Sequence, residues 1–376
     1  MKKNNGKPGL HVLVVSVMLL AGLSVCDAFV PLATLAQTPS TMITFDVPGA
    51  STQPSPEGPS GTYPFSVNAS GAITGYFTDV NFALHGFLRT PDGNFITFDA
   101  PGAGTGFNQG TTAVSINSSG AITGHYVIFD GGDQHGFVRT PDGRVMSFDV
   151  PGAGNASPSG ISNAGVVTGS YFSCTSTSCG RHGFARTPDG AFITFDVPGA
   201  GATLPTSINA SGAIAGWYGD SGNAAHGFLR AANGMFSTFD PPGAGTSSGQ
   251  GTFVTNIGSS GAIAGWYVDS GYARHSFLRA TDGTITAFDA PGADVIHGGT
   301  SAMSVNAAAA IVGQYVDSSR MTHGFLRAPD GTFATIDGPG VGRIGTMGTS
   351  INNASAVVGS FGDQNDVTHG FFLPGN

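Results

Sequence analysis

Met42-Ile43-Thr44-Phe45-Asp46, near the front of the chain, and His369-Gly370-Phe371-Phe372-Leu373, near its end, are two halves of one pattern. In the interior the halves occur joined, as in His226-Gly227-Phe228-Leu229-Arg230 followed by a turn and then Met235 to Asp240. The front piece reads as a fourth strand with no hairpin before it, and the end piece as a third strand with no partner after it. Pairing them removes the two edges that an open array would leave as aggregation templates. The expectation is a closed ring.

Working outward, the whole unit is a Phe-Asp-x-Pro-Gly corner, Ser-Ile-Asn with a Ser-Gly turn, Ala-Ile-x-Gly-x-Tyr, and His-Gly-Phe-Leu-Arg-x-Pro-Asp-Gly. Its histidine recurs at His85, His135, His182, His226, His275, His323 and His369, a period of one supersecondary unit per repeat. Glycine supplies 60 of 376 residues and no window sustains a period of 3.6, so helices have no foothold. Strands do. In the fourth copy Pro205 to Asn209 and Ala213 to Tyr218 flank Ala210-Ser211-Gly212, and His226 to Arg230 pairs with Met235 to Asp240 across a turn that other copies write Thr-Pro-Asp-Gly. The corners at Pro48, Pro101, Pro151, Pro198, Pro242, Pro291 and Pro339 stop the outgoing strand, because proline cannot continue a ladder. Two hairpins per repeat, repeated radially, predict an all-β, seven-bladed β-propeller of four-stranded antiparallel blades over residues 42–373, the last blade closed by the N-terminal strand, with 374–376 as a tail. A β-solenoid, the competing architecture, calls for atypical caps at its ends.

Burial should follow the repeat. Phe87, Phe137, Phe184, Phe228, Phe277, Phe325 and Phe371 hold one equivalent position; Phe45, Phe98, Phe148, Phe195, Phe239 and Phe288, with Ile336, hold another. Both sets are expected to fill the space between neighbouring sheets, at roughly 1.5–3 kcal/mol per fully buried side chain.

The leading residues combine Lys2, Lys3 and Lys7 with an apolar run from Leu10 to Val25, the order of a secretory signal. The expectation is a signal peptide over 1–36, cleaved after Ala36, and a short leader over 37–41. Leu-Ser-Val-Cys ending at Cys26 offers lipid attachment as the alternative, with Val25 bulky where small residues are usual. Removing the segment takes the formal charge from -9 to -11, since three lysines and Asp27 leave with it, and the mature chain holds no lysine. Its arginines are scattered one or two per repeat, which leaves no basic stripe for phosphates and excludes nucleic acid as a partner. Cys174 and Cys179 are expected to form a disulfide that pins a loop in an extracytoplasmic compartment.

With those residues in view the chain resembles the bacterial HAF-repeat extracellular proteins, whose unit likewise combines an Asn-x-x-Gly turn, an apolar-x-Gly stretch and a His-small-Phe signature. The match runs from about residue 42 to 373. The wording departs from the family's: His-Gly-Phe stands in six copies and His-Ser-Phe in one, and Phe-Asp-x-Pro-Gly replaces a Leu-Gly-rich segment. The resemblance implies secretion and a repeat scaffold; it implies no reaction and no catalytic residue.

The His and Asp of every repeat look like an acid–base pair, but a group present in all seven copies is expected to brace each blade by a hydrogen bond, His to backbone. Off the pattern stand Glu57, Asp133, Asp294, Asp366, His125 and His297. They supply neither a visible glycosidase carboxylate pair nor a His/Cys zinc spacing. Asp79, Asp220, Asp269, Asp317 and Asp363 sit in loops between second and third strands, without the dense ligand alternation of a calcium loop. No metal and no cofactor are expected.

One position varies on this fixed frame, the residue after the glycine of the second strand: Tyr76, His125, Ser170, Trp217, Trp266, Gln314 and Ser360. Tyr76, His125, Trp217 and Trp266 are the ligand-binding candidates, with gap-filling between blades as the alternative role. The expected protein is therefore a secreted or envelope-associated, monomeric, non-catalytic scaffold that binds a glycan or a cell-surface protein through loops and channel. The mature chain should carry no transmembrane segment. A polysaccharide lyase or hydrolase using the channel, or an envelope or matrix structural protein, are the alternatives.

Overall fold

The computed structural model describes residues 41–55, 58–129, 132, 134–174 and 179–375. The expected signal segment, and Glu57 and Asp133, lie outside the described residues. Among the described residues every regular element is a strand, and the strands, numbered β1 to β28 in chain order, form seven antiparallel four-stranded units. Unit 4 shows the plan, with β14 (Ala202–Ile208), β15 (Ile214–Gly219), β16 (Ala225–Arg230) and β17 (Phe236–Phe239). The strands of units 1 and 2 share a single parallel pair, Leu84 with Gly110, and those of units 4 and 5 share Ala225 with Gly251.

The split pattern closes as the sequence implies. β1 (Ile43–Phe45) runs antiparallel to β28 (Thr368–Leu373), with Ile43 opposite Phe372 and Phe45 opposite Gly370. It completes unit 7, whose other strands are β26 (Thr346–Ile351) and β27 (Val357–Gly362). Unit 7 in turn holds unit 1: Asn352 Nδ2 donates to the Asn68 carbonyl at 2.9 Å and Thr349 Oγ1 to the Pro64 carbonyl at 3.0 Å. First strands of neighbouring units touch all the way round, so they form the inner wall. This is the propeller architecture.

The invariant residues have steric reasons. Phe87 and its equivalents are 0–1% exposed and form the middle of each unit contact. A Cβ on Gly75 would lie 2.0 Å from the Tyr63 carbonyl and 2.9 Å from the Phe87 ring, so the second strand must carry glycine there. A buried threonine early in the first strand captures the incoming corner: Thr62 Oγ1 accepts from Val47 N at 3.1 Å, and Thr111, Thr203, Thr300 and Thr346 repeat the bond. At the fifth unit Pro241 occupies that corner position and has no N–H, and the Thr252 hydroxyl donates to Asp240 instead.

The second phenylalanine set packs differently from the first. Each ring is covered by the arginine that ends the third strand of the next unit: Arg89 over Phe45, Arg139 over Phe98, Arg186 over Phe148, Arg230 over Phe195, Arg279 over Phe239 and Arg327 over Phe288, at 4.7–5.1 Å. Arginines that look scattered in the sequence are thus a ring of cation–π clamps, each contributing about 0.5–2 kcal/mol. The seventh contact changes both partners together, to Ile336 and Leu373, which pack in one apolar cluster.

Candidate functional site: the axial pocket and its rim

The first-to-second strand turns converge on the ring axis because each first strand ends in Ser-Ile-Asn or a close variant. Asn68 does two tasks at once. Its Oδ1 accepts from Ser70 N, Ser70 Oγ and Ala72 N, closing its own turn, while Nδ2 donates to the Asn117 carbonyl of the next unit at 3.1 Å. Asn117 passes the same rung to Ser162, Asn306 to Asn352, and Asn352 to Asn68. One register inward, serine hydroxyls accept the N–H of the following unit, as Ser66 does from Ile116 at 3.4 Å and Ser350 from Val67 at 3.3 Å. Sequence reasoning missed both roles; the recurring Ser-Ile-Asn was the signal, but one repeat does not reveal that its amide reaches the next.

Together these ends line a cavity of about 210 Å³ open to solvent. Its wall is serine, asparagine, alanine, glycine, valine and isoleucine contributed by all seven units, and holds no titratable side chain. At its mouth Asn353 reaches across unit 6 to Ser259, with Nδ2 donating to Oγ at 3.1 Å, and its Oδ1 also accepts from Ala307 N at 2.9 Å. Such a wall can hydrogen-bond hydroxyls and amides and can exclude charge. It has no group to move a proton.

None of the four ligand-binding candidates lines this pocket. Trp217 meets Phe253 of unit 5 edge-on at 5.2 Å, Phe253 stacks on Trp266 at 4.1 Å, and Arg274 lies 4.4 Å over Trp266. Tyr76 stacks on Tyr63 at 4.8 Å and meets Phe65 at 5.4 Å; burial raises its phenol pKa. All four are partly exposed. His125 has a buried Nδ1 without a partner, and desolvation lowers its pKa to about 4, so it is neutral at physiological pH.

The repeated histidines correct one expectation: their partner is a carboxylate, not the backbone. His226 Nδ1 lies 2.8 Å from Asp240, which follows the fourth strand, and its ring packs on Tyr218 with centroids 5.1 Å apart. The other six units repeat the pair at 2.8–3.0 Å. Among the off-pattern groups, Asp294 pairs with His297 at 2.8 Å and Asp366 with Arg343, both in surface loops. Asp79 Oδ1 accepts from Asn81 N and Ala83 N and so closes its turn, as do its equivalents. Among the described residues no three His, Cys, Asp or Glu side chains converge as metal ligands. Cys174 and Cys179 are bonded between the second and third strands of unit 3.

No protein-family model matches the chain, and no curated protein matches it. Solved structures share its architecture. BP39L lectin from Burkholderia pseudomallei superposes with a TM-score of 0.51 at 11% identity, over 82% of this chain and 94% of the lectin. A puromycin hydrolase mutant complexed with PGG gives 0.52 at 14% identity over 80% of this chain, which spans half of the hydrolase. A lectin of Aleuria aurantia described as a six-bladed β-propeller gives 0.43 at 12% identity, over 72% of this chain and 92% of that one. At these identities the two superpositions above 0.5 show a shared fold alone. Lectins and enzymes both carry it, as a scaffold on which unrelated sites are built.

Proposed function

We propose that the chain is a seven-bladed propeller acting as a non-catalytic binding scaffold, and that its axial pocket takes a neutral, hydroxyl-rich ligand such as a glycan end. The observation that carries this reading is the composition of the pocket wall: hydroxyls and amides from seven units, with no carboxylate, histidine, lysine or arginine among its lining residues. Hydrolysis of a glycoside calls for two carboxylates, and elimination from a uronate calls for a base and a cation to meet the substrate carboxylate. Hydrogen bonding to neutral hydroxyls calls for neither. The partly exposed aromatics Tyr76 and Trp217 are further candidates for stacking on a sugar ring, whereas Trp266 is covered by Phe253 and Arg274. The Cys174–Cys179 bond and the lectin likeness favour an extracytoplasmic setting, and the His-small-Phe repeat favours kinship with HAF-repeat proteins.

Calorimetric titration of the full chain with neutral and uronate-bearing oligosaccharides tests the proposal. Neutral glycans should bind saturably and be released unchanged, and Ser118→Phe, at the exposed pocket rim, should abolish binding while leaving the melting curve in place. Product release from either substrate class, or binding that Ser118→Phe leaves intact, overturns it.

A further inference from the structure

The histidine of unit 4 stands between two carboxylates. Nδ1–H donates to Asp240 at 2.8 Å, which in the neutral ring leaves Nε2 as an acceptor. That Nε2 faces Asp220 Oδ2 at 3.6 Å, a lone pair against an anion, a contact that is favourable only when a proton lies between them. Asp220 cannot turn away, because its Oδ1 is fixed by Gly222 N at 2.8 Å and Ala224 N at 2.9 Å. The bracket recurs at His85, His275, His323 and His369, with Nε2 to turn carboxylate distances of 3.5–3.8 Å. There the turn carboxylates are Asp79, Asp269, Asp317 and Asp363, and the corner carboxylates Asp99, Asp289, Asp337 and Asp46.

We propose that these five histidines are proton-operated clasps: as imidazolium, each ties the second-to-third strand turn to the corner that leaves the unit, so the ring is tightest in mild acid and loosens above neutrality. The second strand presents Phe77, Tyr218, Tyr267, Tyr315 or Phe361 to the imidazole face, and beside His85 the incoming corner is Pro48-Gly49. For His85 the hydrogen bond to Asp99 leads, with Asp79 adding its charge, and the pKa is raised; for His226 burial opposes but Asp240 and Asp220 prevail, and the pKa is again raised. A raised histidine gives stability that is complete below about 6.5, the unfolded value, and is lost as pH rises through the folded value. His125 works in the opposite sense on the acid side, since its lowered pKa makes the fold lose stability as pH falls from about 6.5 toward about 4.

Unit 3 is a built-in control. Its second-to-third hairpin, residues 171–181, contains no Asp or Glu, so His182 has Asp196 alone. Melting of the full chain at pH 6.0 and 8.5 should show a fall of roughly 2–5 °C at the higher pH. Replacing the five turn aspartates by asparagine keeps the Oδ1 acceptor that closes each turn and should shrink that fall, the remainder belonging to the corner carboxylates. If the fivefold variant does not fold, NMR titration of a single variant decides: Asp220→Asn should lower the pH at which His226 deprotonates. An unchanged slope in the fivefold variant, or a His226 that titrates in Asp220→Asn as it does in the parent, overturns the proposal.

Discussion

Two arcs of the ring hold their neighbours by different chemistry. From unit 6 through units 7, 1 and 2, asparagine rungs run unbroken, Asn306 to Asn352, to Asn68, to Asn117 and on to the Ser162 carbonyl. From unit 3 to unit 5 the rung positions read Ser162, Asn209 and Gly258, and Asn209 closes its own turn through Oδ1 as Asn68 does but sends no Nδ2 rung to the next unit. In that arc stand both tryptophans, with Phe253 between them and Arg274 on the far face. Contact between wedges is a geometric demand that either buried amides or stacked rings can meet. Buried amides are exacting, because one lost partner leaves others unsatisfied; stacked rings tolerate variation.

The largest effect expected from this difference is Trp266→Ala. It removes the Phe253 and Arg274 contacts together and should destabilise the fold by about 3 kcal/mol in urea unfolding, the lower range for truncating a packed aromatic. A loss below about 1 kcal/mol would mean that the aromatic arc contributes little. Next, Asn352→Ala should cost about 3 kcal/mol and Asn209→Ala about 2, because both lose a turn acceptor and only Asn352 also loses a rung; equal losses would deny the rung any weight. The smallest effect concerns the one contact without a cation. Ile336→Phe and Leu373→Arg should each destabilise alone and, combined, recover a coupling of about 1 kcal/mol in a double-mutant cycle. Strict additivity would remove the clamp from the account of ring stability.

The frame was legible because its residues are dictated by local sterics. Gly75 must clear a carbonyl, Pro48 must stop a strand, and Phe87 must fill a wedge, so each recurs and can be read in isolation. The closure through β1 followed from the same logic. What escaped was everything whose partner lies in the next unit. The Asn68 amide, the Thr62 hydroxyl and the Arg89 guanidinium have ordinary local roles, and their reach is set by the twist of the stack. One such pair did leave a trace. Ile336 replaces Phe in the unit before Leu373 replaces Arg, a paired change that marks the contact without coordinates. The axial pocket left a weaker trace, because Ser and Asn at a turn are accounted for by the turn itself. The variable layer at Tyr76, His125, Trp217 and Trp266 was visible as variation, while its division into stacked rings and a lone neutral imidazole depends on which neighbour each one meets.

The distance in sequence between β1 and β28 has a consequence for biogenesis. Asp46 and His369 are 323 residues apart. At ribosomal speeds of about 5–20 residues per second, the strand that leaves the exit tunnel early must wait some tens of seconds for its mate. Until then Ile43 and Phe45 form a sticky, unclaimed ribbon, and holding that ribbon apart from other nascent chains is a task for whatever chaperone or export factor meets the polypeptide.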